Sequence, residues 1–420
     1  MTIYDPLHDC KLIGATRAIC GIRDSAVIAH SRPGCQSGAV LLRALSSQQD
    51  DMKIICSGLK GKEMALGGDF RVSSAVEAVW KHLHPGLIAV LNCSAPSIMG
   101  DDIHGAVAAV QEDIQAPVMA LEAAGYEGPD WMGYEEALAA LVGFMTPSSK
   151  KTGTINLIGF KDDQPRALAD LAEMKRMLGA LGVGINTVLT ACSFEAVKRV
   201  PQASLNVVLG GDGLSCANRI GELFDIPKVV VPYPFGMNNT IDFLEKICAG
   251  LDKTMDRDFI ALEQEKIKKG IERIYYHLQG LVGMPVAVVG EAGRVRDFAV
   301  FACDEMGVDA KVIAISSANS LDWEREKQDS RFLKSMLVTP DKFEMDQKIA
   351  SAGVELIFGS TMERKLAHEL DAGLMRISFP VLDMVSISNA PYAGFTGVLH
   401  LLEATVNTII SRPEKDIQRK

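Results

Sequence analysis

Leu87-Ile88-Ala89-Val90-Leu91-Asn92-Cys93-Ser94-Ala95-Pro96-Ser97-Ile98-Met99-Gly100-Asp101-Asp102 is the stretch that decides the fold. It opens on an unbroken apolar run too short for a helix, with no alternation of polar residues. Such a run reads as a strand covered on both faces, the habit of parallel sheets between helices. Pro and Gly then break the chain. Asp101-Asp102 precede a new helical pattern, where an aspartate satisfies free backbone N–H groups as an N-cap.

The same unit recurs along the chain. Ala26–Ala29, Val118–Leu121, Ile155–Ile158, Ile185–Leu189, Leu205–Leu209, Val229–Val231, Val286–Val289, Lys311–Ile315, Glu355–Phe358 and Met375–Ile377 are all short and rich in Val, Ile and Leu. Helical patterns separate them. Ile267, Ile271, Ile274 and Leu278 lie on one face of a helix over Ala261–Leu281. A last helix runs from about Phe395 to Ser411 and stops before Pro413, leaving a polar tail. The fold class is α/β, built of doubly wound, Rossmann-like parallel sheets. The polar Met145–Gly153 stretch and Gly283-Met284-Pro285 read as linkers, dividing the chain into 1–150, 151–284 and 285–420. The C-terminal helix has the option of packing back on the first of these.

Composition removes several classes of function. Of 420 residues 48% are apolar and 23% charged, the balance of a globular chain. No apolar run approaches the ~20 residues of a membrane helix, so no membrane partner is expected. Met1–Pro6 has neither a basic segment nor an apolar core, so no signal peptide is read and the expected compartment is the cytoplasm. Lys and Arg number 43 against 53 Asp and Glu, a net charge of −10 that disfavours nucleic acid. Nine cysteines without a secretory signal are not a disulfide framework. No serine-hydrolase elbow, Walker A loop or zincin motif occurs, so any chemistry is expected to be redox.

Cys35, in His30-Ser31-Arg32-Pro33-Gly34-Cys35, and Cys93 each follow a buried strand, where α/β sheets place their ligands. That suggests one shared site. Cys10 joins it only if the N-terminal segment folds across the first domain. Spacing alone also accommodates three small buried thiols. There is no C-x-x-C pair to indicate a zinc ribbon or ferredoxin-type cluster.

Taken in order, these contexts resemble a known family. Cys10, Pro33-Gly34-Cys35 and Cys93-x6-Gly100-Asp101-Asp102 are similar to the P-cluster cysteine set of nitrogenase component 1, closer to its beta (K-type) subunit than to the alpha subunit. Gly67-Gly68, Pro232-Tyr233-Pro234-Phe235-Gly236 with Asn239–Leu244, Arg376-Ile377-Ser378-Phe379-Pro380 and Gly394-Phe395-Thr396-Gly397 resemble beta-subunit stretches in the same order. The resemblance implies three α/β domains. It implies that Cys10, Cys35 and Cys93 bind iron in half of an interfacial P-cluster-type iron–sulfur cluster (8Fe-7S or 4Fe-4S). A D-type (alpha) partner in an α2β2 assembly would supply the other half and hold the catalytic iron–sulfur cofactor. A homodimeric ATP-dependent iron protein would donate electrons.

The departures are specific. Where the family's beta subunit offers its cluster a serine, this chain reads Glu122-Ala123-Ala124-Gly125-Tyr126-Glu127-Gly128-Pro129. The segment before the first cysteine is short. Both point away from the molybdenum enzymes and towards the K subunit of methylthio-alkane reductase, which by resemblance cleaves C–S bonds and releases methanethiol. A nitrogenase beta subunit and a cofactor-assembly scaffold related to component 1 are the alternatives.

The remaining candidates read as structure. Cys216 and His400 lack the partners of an alpha-type cofactor site. Cys20 and Cys56 are read as core, and Cys192, Cys248 and Cys303 as helix or loop residues without a second ligand. His82 and His84 end a helix, where the dipole favours them. Gly290-Glu291-Ala292-Gly293 and Gly210–Gly213 read as strand-to-helix turns rather than nucleotide loops.

Overall fold

The computed structural model describes residues 4–5, 10–46, 52–149, 151–316 and 331–411. The polar C-terminal tail read from the sequence lies outside these residues, as do Met1–Ile3.

Three parallel sheets form the frame. The first runs in the order Ile54–Cys56, Ser25–His30, Leu87–Asn92, Val118–Glu122. The second orders Lys228–Val231, Leu205–Leu209, Ile155–Ile158, Ile185–Leu189. The third orders Met336–Val338, Asp309–Ile315, Pro285–Gly290, Leu356–Gly359, Gly373–Arg376. Strands added on both sides of a starting strand make each sheet doubly wound, as the apolar runs require.

Burial follows the strand period. In the first sheet Val27, Ala29, Ala89 and Leu91 face one core, with the helices Lys11–Cys20 and Asp130–Leu141. Ala26, Ile28, Ile88 and Val90 face the other, against Asp69–Leu83 and Ile103–Gln111. A short parallel pair, Ile22–Arg23 with Cys192–Ser193, joins the first sheet's helical layer to the second. Cys192 is thus in a strand, not in the helix or loop read from the sequence.

The Lys11–Cys20 and Asp130–Leu141 helices touch backbone to backbone. A Cβ on Gly14 would lie 1.7 Å from the Asp130 carbonyl oxygen, and one on Gly133 1.9 Å from that of Lys11. Only glycine permits this approach.

Two elements differ from the sequence reading. The long helix is Arg257–Leu278, capped by Asp256 accepting from the N–H groups of Asp258 and Phe259, and it leaves helical geometry at Ile274. The last helix, Gly394–Ile410, packs on the helices Ala167–Ala180, Gly236–Gly250 and Arg257–Leu278 and on the strand Gly373–Arg376. Its Phe395, Val398, Leu401 and Leu402 belong to the core of the second and third sheets, so that core holds it rather than the first sheet.

Candidate functional site

The carboxyl ends of the first sheet carry a row of thiols. Cys93 ends the central strand, is fully buried, and is the extended N-cap residue of Ser94–Met99. Its N–H donates to the His30 carbonyl at 3.2 Å. Cys35 is the exposed first residue of the helix Cys35–Ser46, reached through Gly34 at φ +135°. The chain turns back here because Pro33-Gly34 allows it.

The Cys35 and Cys93 thiols interact, each the largest influence on the other. Cys93 holds Cys35 down, to about 6, against the opposing effect of burial, with help from Ser31 and the Cys35 N–H. Cys35, with burial, pushes Cys93 up. A thiolate is the form that ligates metal, and Cys35 is disposed to it.

Cys10 is the half-buried N-cap of Lys11–Cys20. Its side chain lies beside Gly125 and Ser94, the residue after Cys93: a Cβ on Gly125 would be 3.4 Å from both Cys10 Sγ and Ser94 Oγ. The Gly125 N–H donates to Ser94 Oγ at 2.9 Å. The structure therefore brings Cys35 and Cys93 into contact and sets Cys10 against the loop that carries Cys93. Among the described residues no three His, Cys, Asp or Glu side chains meet at one point to hold a single ion. An iron–sulfur cluster does not ask for that, because each thiolate takes its own iron. Three thiols around one face fit such a group.

Sequence reasoning missed Cys56. It is half-exposed at the end of the edge strand, with Sγ 3.5 Å from Ser31 Oγ, and is not core. Nor does Asp101 cap the next helix. Asp102 does so, accepting from the Gly105 N–H at 2.8 Å. Asp101 accepts from the Gly68 N–H and bonds the buried His30 ring, whose other nitrogen meets Ser57 Oγ. Burial holds His30 below its ordinary range. The pair braces the strand end next to Ser31.

Cys216 is buried, its thiol pushed up by burial and by Glu135, and His400 bonds the Pro391 carbonyl. Burial pushes Cys20 and Cys192 up to about 12. His84 is the left-handed C-cap of its helix.

A second constellation lies behind the thiols, where the three sheets meet. Arg17 makes a two-point bond to Asp163 at 2.6 and 2.9 Å, and reaches Asp130 at 3.0 Å and Glu291 at 2.6 Å. Lys161 bridges Glu291 at 2.7 Å and Asp212 at 3.0 Å, and Arg43 clamps Asp162. Gly293 abuts the Gly210 turn: a Cβ there would lie 2.5 Å from the Gly210 oxygen. Both glycine turns thus serve packing. A cavity of about 120 Å³ lies alongside, lined among others by Ile13, Leu42, Gly290, Ser360 and Phe379, and holds no thiol. No motif marks these charges in the sequence; only the fold collects them.

Several apolar side chains of the first domain stand in solvent. Leu41 and Leu45 lie on the helix that Cys35 begins and Ile98 on the helix that Cys93 caps, with Leu66 and Phe70 on two others, and all are exposed. Among the described residues no helix is long and apolar enough to cross a membrane.

Comparison with known proteins agrees with the frame. A family model described as nitrogenase component 1 type oxidoreductase matches residues 10–410. A nitrogenase molybdenum-iron protein beta chain from Methanococcus maripaludis is 25% identical, covering 98% of this chain and 95% of that one. The B-type subunit of light-independent protochlorophyllide reductase from Chlorokybus atmophyticus is also 25% identical, over 94% of this chain and 81% of its own. A solved structure of nitrogenase Cp1 at pH 6.5 superposes with a TM-score of 0.85 at 21% identity, covering all of this chain and 97% of the other.

Proposed function

From the premise that the chain belongs to the nitrogenase component 1 type oxidoreductases, we propose that it is the beta-type subunit of a nitrogenase-like reductase. Its three sheets are read as three domains, 1–150, 151–284 and 285–420. The first presents Cys10, Cys35 and Cys93 as half the ligands of an iron–sulfur cluster shared with an alpha-type partner in an α2β2 assembly. The observation that carries this reading is the pairing of Cys35 with Cys93 at the sheet's carboxyl ends, with Cys10 against the same loop. Soft thiolates select iron–sulfur clusters.

The cluster, when bound, supplies a one-electron relay between an ATP-dependent iron protein and a catalytic cofactor in the partner. This chain's residues hold and orient. The Cys35 N–H and Ser31 lie at the thiol pair, and the Gly14–Gly133 contact fixes the helix that carries Cys10. Exposed Leu41 and Leu45, on the helix Cys35 begins, and Ile98, on the helix Cys93 caps, are the apolar part of the partner's landing surface.

The substrate reading is a methylthio compound. Its reductive cleavage, R–S–CH3 + 2 e⁻ + 2 H⁺ → R–H + CH3SH, needs the electron supply such a relay gives. It is supported by the Glu122–Pro129 stretch, which lacks the serine. Dinitrogen reduction is the second reading, favoured by the likeness to the Methanococcus maripaludis chain.

The test is anaerobic purification of the complex from its native host, with iron counted per polypeptide and both thioether and dinitrogen reduction assayed. Cys35→Ala or Cys93→Ala should strip cluster iron and electron transfer, while Cys303→Ala retains both. Full iron in Cys35→Ala overturns the site.

A further inference from the structure

Strand register puts a fourth sulfur on the thiol face. Ala29 pairs with Cys56 on one side and with Leu91 on the other. Side chains alternate along a strand, so Ser31, two residues past Ala29, and Cys93, two past Leu91, share the face of Cys56. The contacts agree. Cys56 Sγ lies 3.3 Å from the Ser31 carbonyl oxygen and 3.5 Å from its hydroxyl. Ser31 also influences both Cys35 and Cys93. One serine therefore stands among three thiols from three separate elements.

Among the other unassigned cysteines only Cys303 is also partly exposed, and it lies on the helix Ala292–Asp304 against the core of the second and third sheets. Cys20, Cys192, Cys216 and Cys248 are buried, and the first three lie in the apolar core beneath the first sheet. Cys56 is half-exposed, and its sulfur accepts the Gly58 N–H at 3.3 Å. N–H bonds to a ligating sulfur are a means by which proteins tune an iron–sulfur cluster.

We propose that Cys56 is a further sulfur ligand of the cluster held by Cys10, Cys35 and Cys93, at the end of the row where the sheet has its edge. The proposal rests on the cluster reading above and deepens it. It supplies a protein ligand in a chain whose Glu122–Pro129 stretch offers no serine. Cys56 would ligate as the thiolate, its proton passing to solvent and a sulfur lone pair to iron, so no oxidation state changes.

The test uses the complex purified anaerobically with its partner. Iodoacetamide labelling of Cys56, mapped by mass spectrometry, is compared before and after removal of iron with a chelator. Cys56→Ala and Cys56→Ser are compared with wild type by iron count, electron paramagnetic resonance and midpoint potential. The expected result is labelling at least about tenfold slower in the loaded complex, a changed resonance spectrum and shifted potential in Cys56→Ala, and partial return in Cys56→Ser, whose oxygen can also ligate. A merely structural Cys56 would move neither spectrum nor potential. Equal labelling with and without iron, together with a wild-type spectrum and potential in Cys56→Ala, overturns this proposal and leaves the three-cysteine site standing. A wild-type complex without iron overturns both.

Discussion

One short helix joins two regions of opposite character. At its start Cys10 lies beside Ser94, next to a pair of thiols of which one is buried and one exposed. Further along, Arg17 is buried and reaches three carboxylates at once. The charge junction is complete within the chain: each buried cation named there has its anions. The thiol pair instead gathers cysteines from separate elements, which the proposed function reads as ligands.

The comparison can be broken at its strongest point. Arg17→Ala should cost about 3–5 kcal/mol, because it strands buried carboxylates rather than removing a balanced pair. Urea unfolding of the iron-free chain checks this, and a change below about 1 kcal/mol would mean the junction is not structural.

Glu291→Gln should cost less, about 2–3 kcal/mol near neutral pH, with a distinctive acid dependence. Burial alone would raise the Glu291 carboxyl, but Arg17 and Lys161 outweigh it and hold it at about 2. Because the folded value lies below the ordinary 4.5, its stabilisation is fully present above about pH 4.5 and drains away as pH falls towards 2. The variant should therefore lose that part of the acid slope. An unchanged slope between those limits would contradict the ion-pair account.

Cys35→Ala should have the smallest effect on folding, within about 0.5 kcal/mol in the iron-free chain, since the residue is exposed. Thermal melts of the iron-free forms would check it. A loss of iron without a loss of stability would separate the two regions cleanly.

Legibility in the sequence divides along the same line. Leu87–Asn92 and its relatives could be read because a strand buried on both faces is a continuous apolar run. Met336–Val338 could not: it is a three-residue edge strand, too short for any period. Cys35 and Cys93 announced themselves by standing after strands, next to Pro and Gly. Cys56 ends another short edge strand, Ile54–Cys56, so its apolar neighbours made it look like core. Arg17 carried no signal at all. Its partners Asp163 and Glu291 are 146 and 274 residues away, and nothing local distinguishes it from a surface arginine on a helix.

That sequence separation sets the order of events at the ribosome. The helix bearing Cys10 emerges before the segments that hold it, and chains grow at roughly 5–20 residues per second with domains folding as they appear. Yet Arg17 cannot acquire Asp163, and later Glu291, until those residues have been made. The strand Ile22–Arg23 likewise waits for Cys192–Ser193. The first thiol of the row is thus born early and anchored late. Fastening of the helix that carries it reports, in effect, that translation has passed into the third sheet, so a truncated nascent chain would present its thiols without the clamp that steadies Cys10.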